Sequence, residues 1–368
     1  MSAPIVIAAG GTGGHFFPAE ALAAELTSRG RTVALMTDAR SSGETSTVFA
    51  GSERFVLRGA GIAGRGVVKA GRAAVALAAG TIQARKILQR LRPSAIVGFG
   101  GYPSVAPVLA SRMLSDRPRV VLHEQNAVLG RANRMLAPMS DVLALSFAET
   151  TKVPVKVRTS FSGNPVRTAI MAMAGRGYTP RSDVFQLLVL GGSQGARVFS
   201  SVVPDAIRRL PEGLVGRLRI TQQCRAEDID QVRAAYSAIG VSAELASFFP
   251  NVAELLEQAH LVIARAGAST VAELAAVGRP SILVPLPSAI DDHQRANAKA
   301  LADAGGAWMM HQSIFFGADL ADFLQPLMED PAYLAPLAAA AAGFGSVRAA
   351  QVLADLVEQT ITSQEIAA

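Results

Sequence analysis

Two stretches of this chain are built alike, and together they restrict the fold more than anything else in it. Ile5-Val6-Ile7-Ala8-Ala9 runs directly into Gly10-Gly11-Thr12-Gly13-Gly14-His15. Residues 186–190, apolar after Gln186, run directly into Gly191-Gly192-Ser193-Gln194-Gly195-Ala196. A short unbroken apolar run is the mark of a strand buried on both faces, as in a parallel sheet. The glycine loop and the helical pattern after it bring backbone N–H groups to a helix N-terminus, which suits a phosphate. The first helix is expected from about Pro18 to Ser28, the second to about Leu210. Two such openings in 368 residues predict an α/β chain of two doubly wound domains facing one another.

The remaining pattern agrees with two such halves. Strands are expected at 32–36, 54–57, 95–99, 119–122 and 141–145, then at 218–221, 243–248, 261–264 and 281–285. A helix is expected from about Val105, after Gly100-Gly101-Tyr102-Pro103. The turn-rich Gly163-Asn164-Pro165-Val166-Arg167 reads as the link. The expected domains are 1–162 and 163–345, with a last helix at about 346–362, capped by Ser346, packing back on the first. Residues 261–287 read as strand, tight loop, helix and strand, with Ser269 or Thr270 as N-cap and Glu273 in the first turn. Glu273 either accepts hydrogen bonds from ribose hydroxyls or complements the helix dipole.

Polar residues at strand C-termini line the crevice where such sheets bind ligands. His15 is a candidate general base, because imidazole titrates near neutral pH; the alternative is a histidine that bonds locally. Glu124 is a candidate to orient or assist it, and Asn126 to bond a sugar; structural roles at a strand end serve both equally. Asp228-Ile229-Asp230 has the acidic spacing of metal-dependent sugar transfer, but it opens a helical pattern, where the dipole accounts for acids. The five histidines show no ligand spacing, so no protein-bound metal is expected. A dinucleotide fingerprint starts at Gly11-Thr12-Gly13 but has Phe16 at its third glycine position, so NAD is disfavoured.

Charge is unevenly placed. The net charge is +6, yet Arg54 through Ser115 holds no Asp or Glu and includes Lys69, Arg72, Arg85, Lys86 and Arg90. Apolar residues such as Val75, Leu77, Ile82 and Ile87 are mixed in, without the aromatics of a nucleic-acid platform. This block points to an anionic membrane surface, the alternative being a solvated helix over the core. The single cysteine, Cys224, excludes a disulfide framework and fits a reducing compartment. The N-terminus has no signal-peptide pattern, and no uninterrupted apolar run reaches the roughly 20 residues of a membrane span.

In order, the glycine loop ending at His15, Gly100-Gly101-Tyr102-Pro103-Ser104, His123-Glu124-Gln125-Asn126, Gly163-Asn164-Pro165-Val166-Arg167, the loop at 191–196 and Arg265-Ala266-Gly267-Ala268-Ser269-Thr270 form a specific set. Across nearly the whole chain this set closely resembles the bacterial UDP-N-acetylglucosamine:N-acetylmuramyl-(pentapeptide) pyrophosphoryl-undecaprenol N-acetylglucosamine transferases. The resemblance implies a GT-B fold and inverting transfer of N-acetylglucosamine from UDP to lipid I, giving lipid II, without a cofactor. It implies a peripheral protein on the cytoplasmic face of the inner membrane, with the donor in the C-terminal half. It puts Phe249 near the uracil, Glu273 at the ribose, and Arg167, Ser193, Ala268, Ser269 and Thr270 at the diphosphate. Thr12, Gly13, Gly14, Asn126 and Gln294 fall near the sugar, and His15 is the favoured base. Residues 289–293 depart from the pattern, being slightly long and carrying His293 in place of a second glutamine. Rivals are a UDP-N-acetylglucosamine 2-epimerase on the same fold, an NAD-dependent oxidoreductase and a non-catalytic membrane scaffold. The basic apolar block argues against the first, Phe16 against the second, and the two glycine loops with His15 against the third.

Overall fold

The computed structural model describes residues 3–10, 13–39, 46–57, 67–179, 183–192 and 195–365, the side chains at 67–70 and 364–365 excepted. It divides into two compact units, Met1–Arg167 with Arg348–Ala368, and Thr168–Val347. The Gly163–Arg167 turn therefore belongs to the first unit rather than opening the second.

The first unit runs β1 (Ile5–Ala8), α1 (Gly13–Ser28), β2 (Val33–Asp38), β3 (Glu53–Leu57), α2 (Val67–Leu91), β4 (Ala95–Gly98), α3 (Gly101–Ser111), β5 (Arg119–Glu124), α4 (Arg131–Leu136), β6 (Val142–Leu145) and β7 (Thr159–Phe161). The second runs α5 (Thr168–Met171), β8 (Phe185–Leu190), α6 (Arg197–Arg208), α7 (Glu212–Val215), β9 (Leu218–Gln223), α8 (Ile229–Ile239), β10 (Ser242–Ala246), α9 (Val252–Gln258), β11 (Leu261–Ala264), α10 (Ala268–Val277), β12 (Ser281–Leu283), α11 (His293–Asp303), β13 (Ala307–Met309), α12 (Gly317–Glu329) and α13 (Leu334–Phe344). The final α14 (Ala349–Glu365) returns to the first unit.

Both sheets are parallel in every pair, in the orders β3-β2-β1-β4-β5-β6-β7 and β10-β9-β8-β11-β12-β13. Strand order reverses between β1 and β4 in one, and between β8 and β11 in the other. Ligands bind such sheets just beyond the strand ends at the reversal. That places the loops after β1 and β4, and after β8 and β11, at the two crevices.

The apolar runs behave as expected: β1, β4, β6 and β11 are buried throughout. Period two divides β1 between two cores. Ile5 and Ile7 face Leu22, Leu26, Leu353 and Val357, whereas Val6 and Ala8 face Leu88, Val105 and Leu129. Salt bridges tie α14 down, with Arg29 bonding Asp355 at 2.6 Å and Glu358 at 2.9 Å, and Arg31 bonding Glu358 at 2.7 Å. The stretch Pro331–Ser363 is long and apolar enough in composition to cross a membrane. It is broken after Phe344, and its apolar residues serve both cores: Leu334, Ala338 and Ala341 before the break, Leu353, Val357 and Ile361 after it.

Several boundaries differ from expectation. Helix α1 begins at Gly13 and carries Pro18 inside it, a residue with no N–H to give to the helix. Helix α3 begins at Gly101, not Val105, and α10 at Ala268, with Gly267 as N-cap and no capping side chain. Ser269 and Thr270 are thus inside the first turn, and Glu273 lies beyond it. Ser346 does not start α14, whose first helical bond runs from the Val352 N–H to the Arg348 carbonyl. Strand β13 and helices α11 to α13 had no counterpart among the expected elements.

Candidate active site

In the first unit the crevice is made of side chains bonded to one another. Gly100 and Gly101 take φ of 78° and 66°, the left-handed region that favours glycine. This turn aims the Phe99 carbonyl at His15, and a Cβ on Gly101 would stand 3.6 Å from the His15 ring. His15 Nδ1 lies 2.8 Å from that carbonyl oxygen and 2.9 Å from Gln125 Oε1. Both partners are acceptors, so Nδ1 carries the proton and Nε2 keeps its lone pair. Among the described residues none bonds to Nε2. The half-buried imidazole is oriented as a base must be.

Glu124 has a different role from the one expected. Its Oε1 accepts the Asn126 N–H and Nδ2, both at 3.0 Å. Its Oε2 accepts the Gly130 N–H and Asn133 Nδ2, both at 2.9 Å. All four lone-pair positions are used, the side chain is 2 % exposed, and none of these bonds reaches His15. Glu124 is a brace for residues 126–133, and the neighbour that touches His15 is Gln125. Period two along β5 would have pointed to Gln125, since 123 and 125 share one face and 124 and 126 the other.

Arg167 lies beside α1, the helix of His15. Its guanidinium stacks 4.6 Å from the Phe17 ring, two residues after His15, and it belongs to the first unit. Phe16 is 3 % exposed and packs on Phe49, filling the space a third fingerprint glycine would leave open. Gly13 and Gly14 open α1, while Thr12 and Ser193 lie outside the described residues.

The second crevice is made of backbone. After β8, Gly191 packs so tightly under the turn that a Cβ would meet the Ala196 nitrogen at 2.5 Å. After β11, the loop 265–267 leads into α10, whose first N–H groups, at Ala268, Ser269 and Thr270, point out of the helix. Arg265 fixes this loop: it is 9 % exposed and donates to the carbonyls of Val284 at 3.0 Å and Pro285 at 3.2 Å, and to Gln312 Oε1 at 2.7 Å. Burial lowers its guanidinium from the ordinary value. Asn297 Nδ2 donates to the Ala266 carbonyl at 3.1 Å. The structural duty of Arg265 was not expected; an arginine directly after a buried strand was its signal, since buried charges need partners.

Glu273 is 8 % exposed and sits beyond the first turn, where the helix dipole no longer accounts for it. Phe249 is 4 % exposed, while the neighbouring Phe248 is 68 % exposed. Gln294 Oε1 accepts the Leu286 N–H at 2.9 Å, which braces the divergent loop. That loop holds two successive left-handed residues, Asp291 at φ 55° and Asp292 at φ 56°, and His293 Nδ1 donates to the Ile290 carbonyl at 2.7 Å. Asp228 and Asp230 open α8, as the dipole reading expects.

These arrangements have relatives. The chain matches the Glycosyltransferase family 28 N-terminal domain over residues 5–144 and the Glycosyltransferase family 28 C-terminal domain over residues 186–353. A protein of Granulibacter bethesdensis is 60 % identical over 97 % of this chain and 94 % of its own, and one of Acidiphilium cryptum is 52 % identical over 99 % and 98 %. Both are named UDP-N-acetylglucosamine--N-acetylmuramyl-(pentapeptide) pyrophosphoryl-undecaprenol N-acetylglucosamine transferase. The crystal structure of Acinetobacter baumannii MurG aligns with a TM-score of 0.78 at 28 % identity, over 97 % of this chain and 99 % of that one. The fold is that of a GT-B glycosyltransferase. The chain therefore belongs to glycosyltransferase family 28 and, within it, to the UDP-N-acetylglucosamine--N-acetylmuramyl-(pentapeptide) pyrophosphoryl-undecaprenol N-acetylglucosamine transferases.

Proposed function

We propose that this chain transfers N-acetylglucosamine from UDP-N-acetylglucosamine to undecaprenyl-diphosphate-N-acetylmuramoyl-pentapeptide, lipid I, and so makes lipid II for peptidoglycan. The second unit binds the donor: the α10 N-terminus and the glycine loop after β8 take the diphosphate, Glu273 the ribose and the loop near Phe249 the uracil. The acceptor hydroxyl attacks the anomeric carbon, the bond to UDP breaks, and configuration inverts. His15 Nε2 takes the hydroxyl proton. Helix N–H groups and the Arg167 guanidinium stabilise the charge that develops on the departing diphosphate.

The observation that carries this reading is the His15 imidazole, with Nδ1–H committed to two oxygens and Nε2 left as the acceptor. The test is UDP release from UDP-N-acetylglucosamine with and without a lipid I analogue. Release that depends on the analogue is expected. Isomerised sugar, or equal release without acceptor, would replace transfer with epimerase or hydrolase chemistry.

The acceptor lies in an anionic membrane, and the protein works as a peripheral enzyme at the cytoplasmic face. Helix α2 supports this: Val75 and Ile82 are 71 % and 55 % exposed, with Arg72 and Lys86 exposed beside them and Met113 exposed nearby. Reversing Arg72, Arg85 and Lys86 to glutamate should weaken cosedimentation with anionic vesicles by about tenfold or more, at about 1 kcal/mol per charge. Undiminished binding would remove α2 from the membrane.

A further inference from the structure

The hydrogen bonds behind His15 continue into the protein, and each has only one possible direction. Gln125 Nε2 lies 3.0 Å from the His123 carbonyl oxygen and 2.9 Å from His123 Nδ1. A carbonyl only accepts, so this end of Gln125 is the amide NH2, and its oxygen must face His15. His123 Nδ1 therefore accepts, which leaves the His123 proton on Nε2. That atom lies 3.1 Å from the Gly163 carbonyl oxygen, again an acceptor, and 3.3 Å from Ser146 Oγ. Three main-chain carbonyls, at Phe99, His123 and Gly163, thus set the direction of the whole chain. His123 is fully buried and packs on the Phe99 ring at 5.2 Å between centroids. Burial first, and the neighbouring His15 charge, lower its imidazole to about 4 against the opposing Gly163 bond, so it stays neutral at working pH. A charged His123 would carry a proton on Nδ1 and turn Gln125 around.

We propose that Gln125 and His123 are positioning residues that hold His15 with its proton on Nδ1 and so reserve Nε2 for the acceptor hydroxyl. This rests on His15 being the base and adds the device that sets its tautomer. The reaction inverts the roles cleanly: Nε2 gains the hydroxyl proton, the imidazolium keeps Nδ1–H, and Gln125 Oε1 with the Phe99 carbonyl stabilises that cation without taking its proton.

The test reads the tautomer directly, by long-range 1H–15N spectra of the full chain labelled at histidine, with His15 assigned by its loss in His15→Asn. The wild type should show a bare Nε2 and a protonated Nδ1 at residue 15. Gln125→Met removes one of two acceptors, and should give mixed tautomers and a kcat lower by roughly two- to tenfold, the value of one hydrogen bond, with KM for the UDP-sugar unchanged. Gln125→Glu still presents an oxygen to Nδ1 and should restore the His15 tautomer, but its second oxygen faces the His123 carbonyl and Nδ1, both acceptors, so kcat should recover only in part. A wild-type His15 protonated on Nε2 overturns the proposal whether or not the variants fold. So does Gln125→Met with both tautomer and kcat unaltered. The base reading fails separately, if His15→Ala keeps its turnover while the spectra stand.

Discussion

The two crevices occupy the same place in the same topology and are made of different material. In the first unit the end of β5 and the helices beside it carry His15, His123, Glu124, Gln125, Asn126 and Asn133, joined by side-chain hydrogen bonds. In the second the strand ends carry Gly191, Gly195, Ala266, Gly267 and Ala268, and what they present is main chain. Moving a proton needs one atom held in one protonation state, which only a network of side chains can fix. Holding a diphosphate needs several N–H groups and a partial positive charge, which a helix N-terminus supplies from backbone. The first crevice should therefore fail when a single side chain is removed, and the second only when its space is filled.

The largest effect expected is at His15. His15→Ala should lower turnover by about 10²–10⁴, the range for general-base catalysis, and leave UDP affinity, measured by calorimetry, unchanged. A parallel loss of UDP affinity would erase the division of labour between the units. Next comes Glu124→Gln. The amide replaces one acceptor oxygen by a donor, so two of the four N–H groups from Asn126, Gly130 and Asn133 lose their partner. A loss of about 3 kcal/mol in urea unfolding is expected from unsatisfied buried donors. An undiminished stability would mean the brace is not a brace.

His123 gives a pH signature. Its folded pKa, about 4, is below the unfolded value of 6.5, so the unfolded chain binds the extra proton. Stability from this group is fully present above pH 6.5 and lost as pH falls toward 4. Between pH 7 and 5 the loss should be about 2 kcal/mol. His123→Gln, which does not titrate, should remove that part of the slope in urea unfolding at the two pH values. An unchanged slope would place the buried proton elsewhere.

What could be read in the sequence follows the same division. Apolar runs and glycine loops announce a parallel sheet because both act locally, and the loops after β1, β4, β8 and β11 all fell where the reversals of strand order require. His15 and Asn126 stand out in the sequence as polar residues just past such runs, and Glu273 as an acid in the helix that follows one. The choice between assisting and structural roles for Glu124 stayed open, and Gln125 was missed, because a partner's identity is set by contacts between positions far apart in the chain, such as Gln125 with His15. The start of α10 was misplaced for a local reason: Ser269 and Thr270 look like caps, but the turn through Gly267 begins the helix before them. Helix α13 is mostly alanine and leucine and gives no clear period, whereas α12 buries Leu320, Leu324, Leu327 and Met328 at helical spacing, a period that went unread.

The smallest effect expected tests the second crevice on its own terms. If backbone holds the diphosphate, the hydroxyls in the first turn of α10 are secondary. Thr270→Ala keeps every helix N–H and removes one neutral donor, and should weaken UDP binding by roughly threefold, within the value of a single hydrogen bond. Gly191→Val fills the space where a Cβ already meets the Ala196 nitrogen at 2.5 Å. It should abolish UDP binding while leaving the first unit's His15 spectrum intact. A Thr270→Ala loss beyond thirtyfold would show that side chains carry the second crevice too, and the contrast between the two units would reduce to one of residue type.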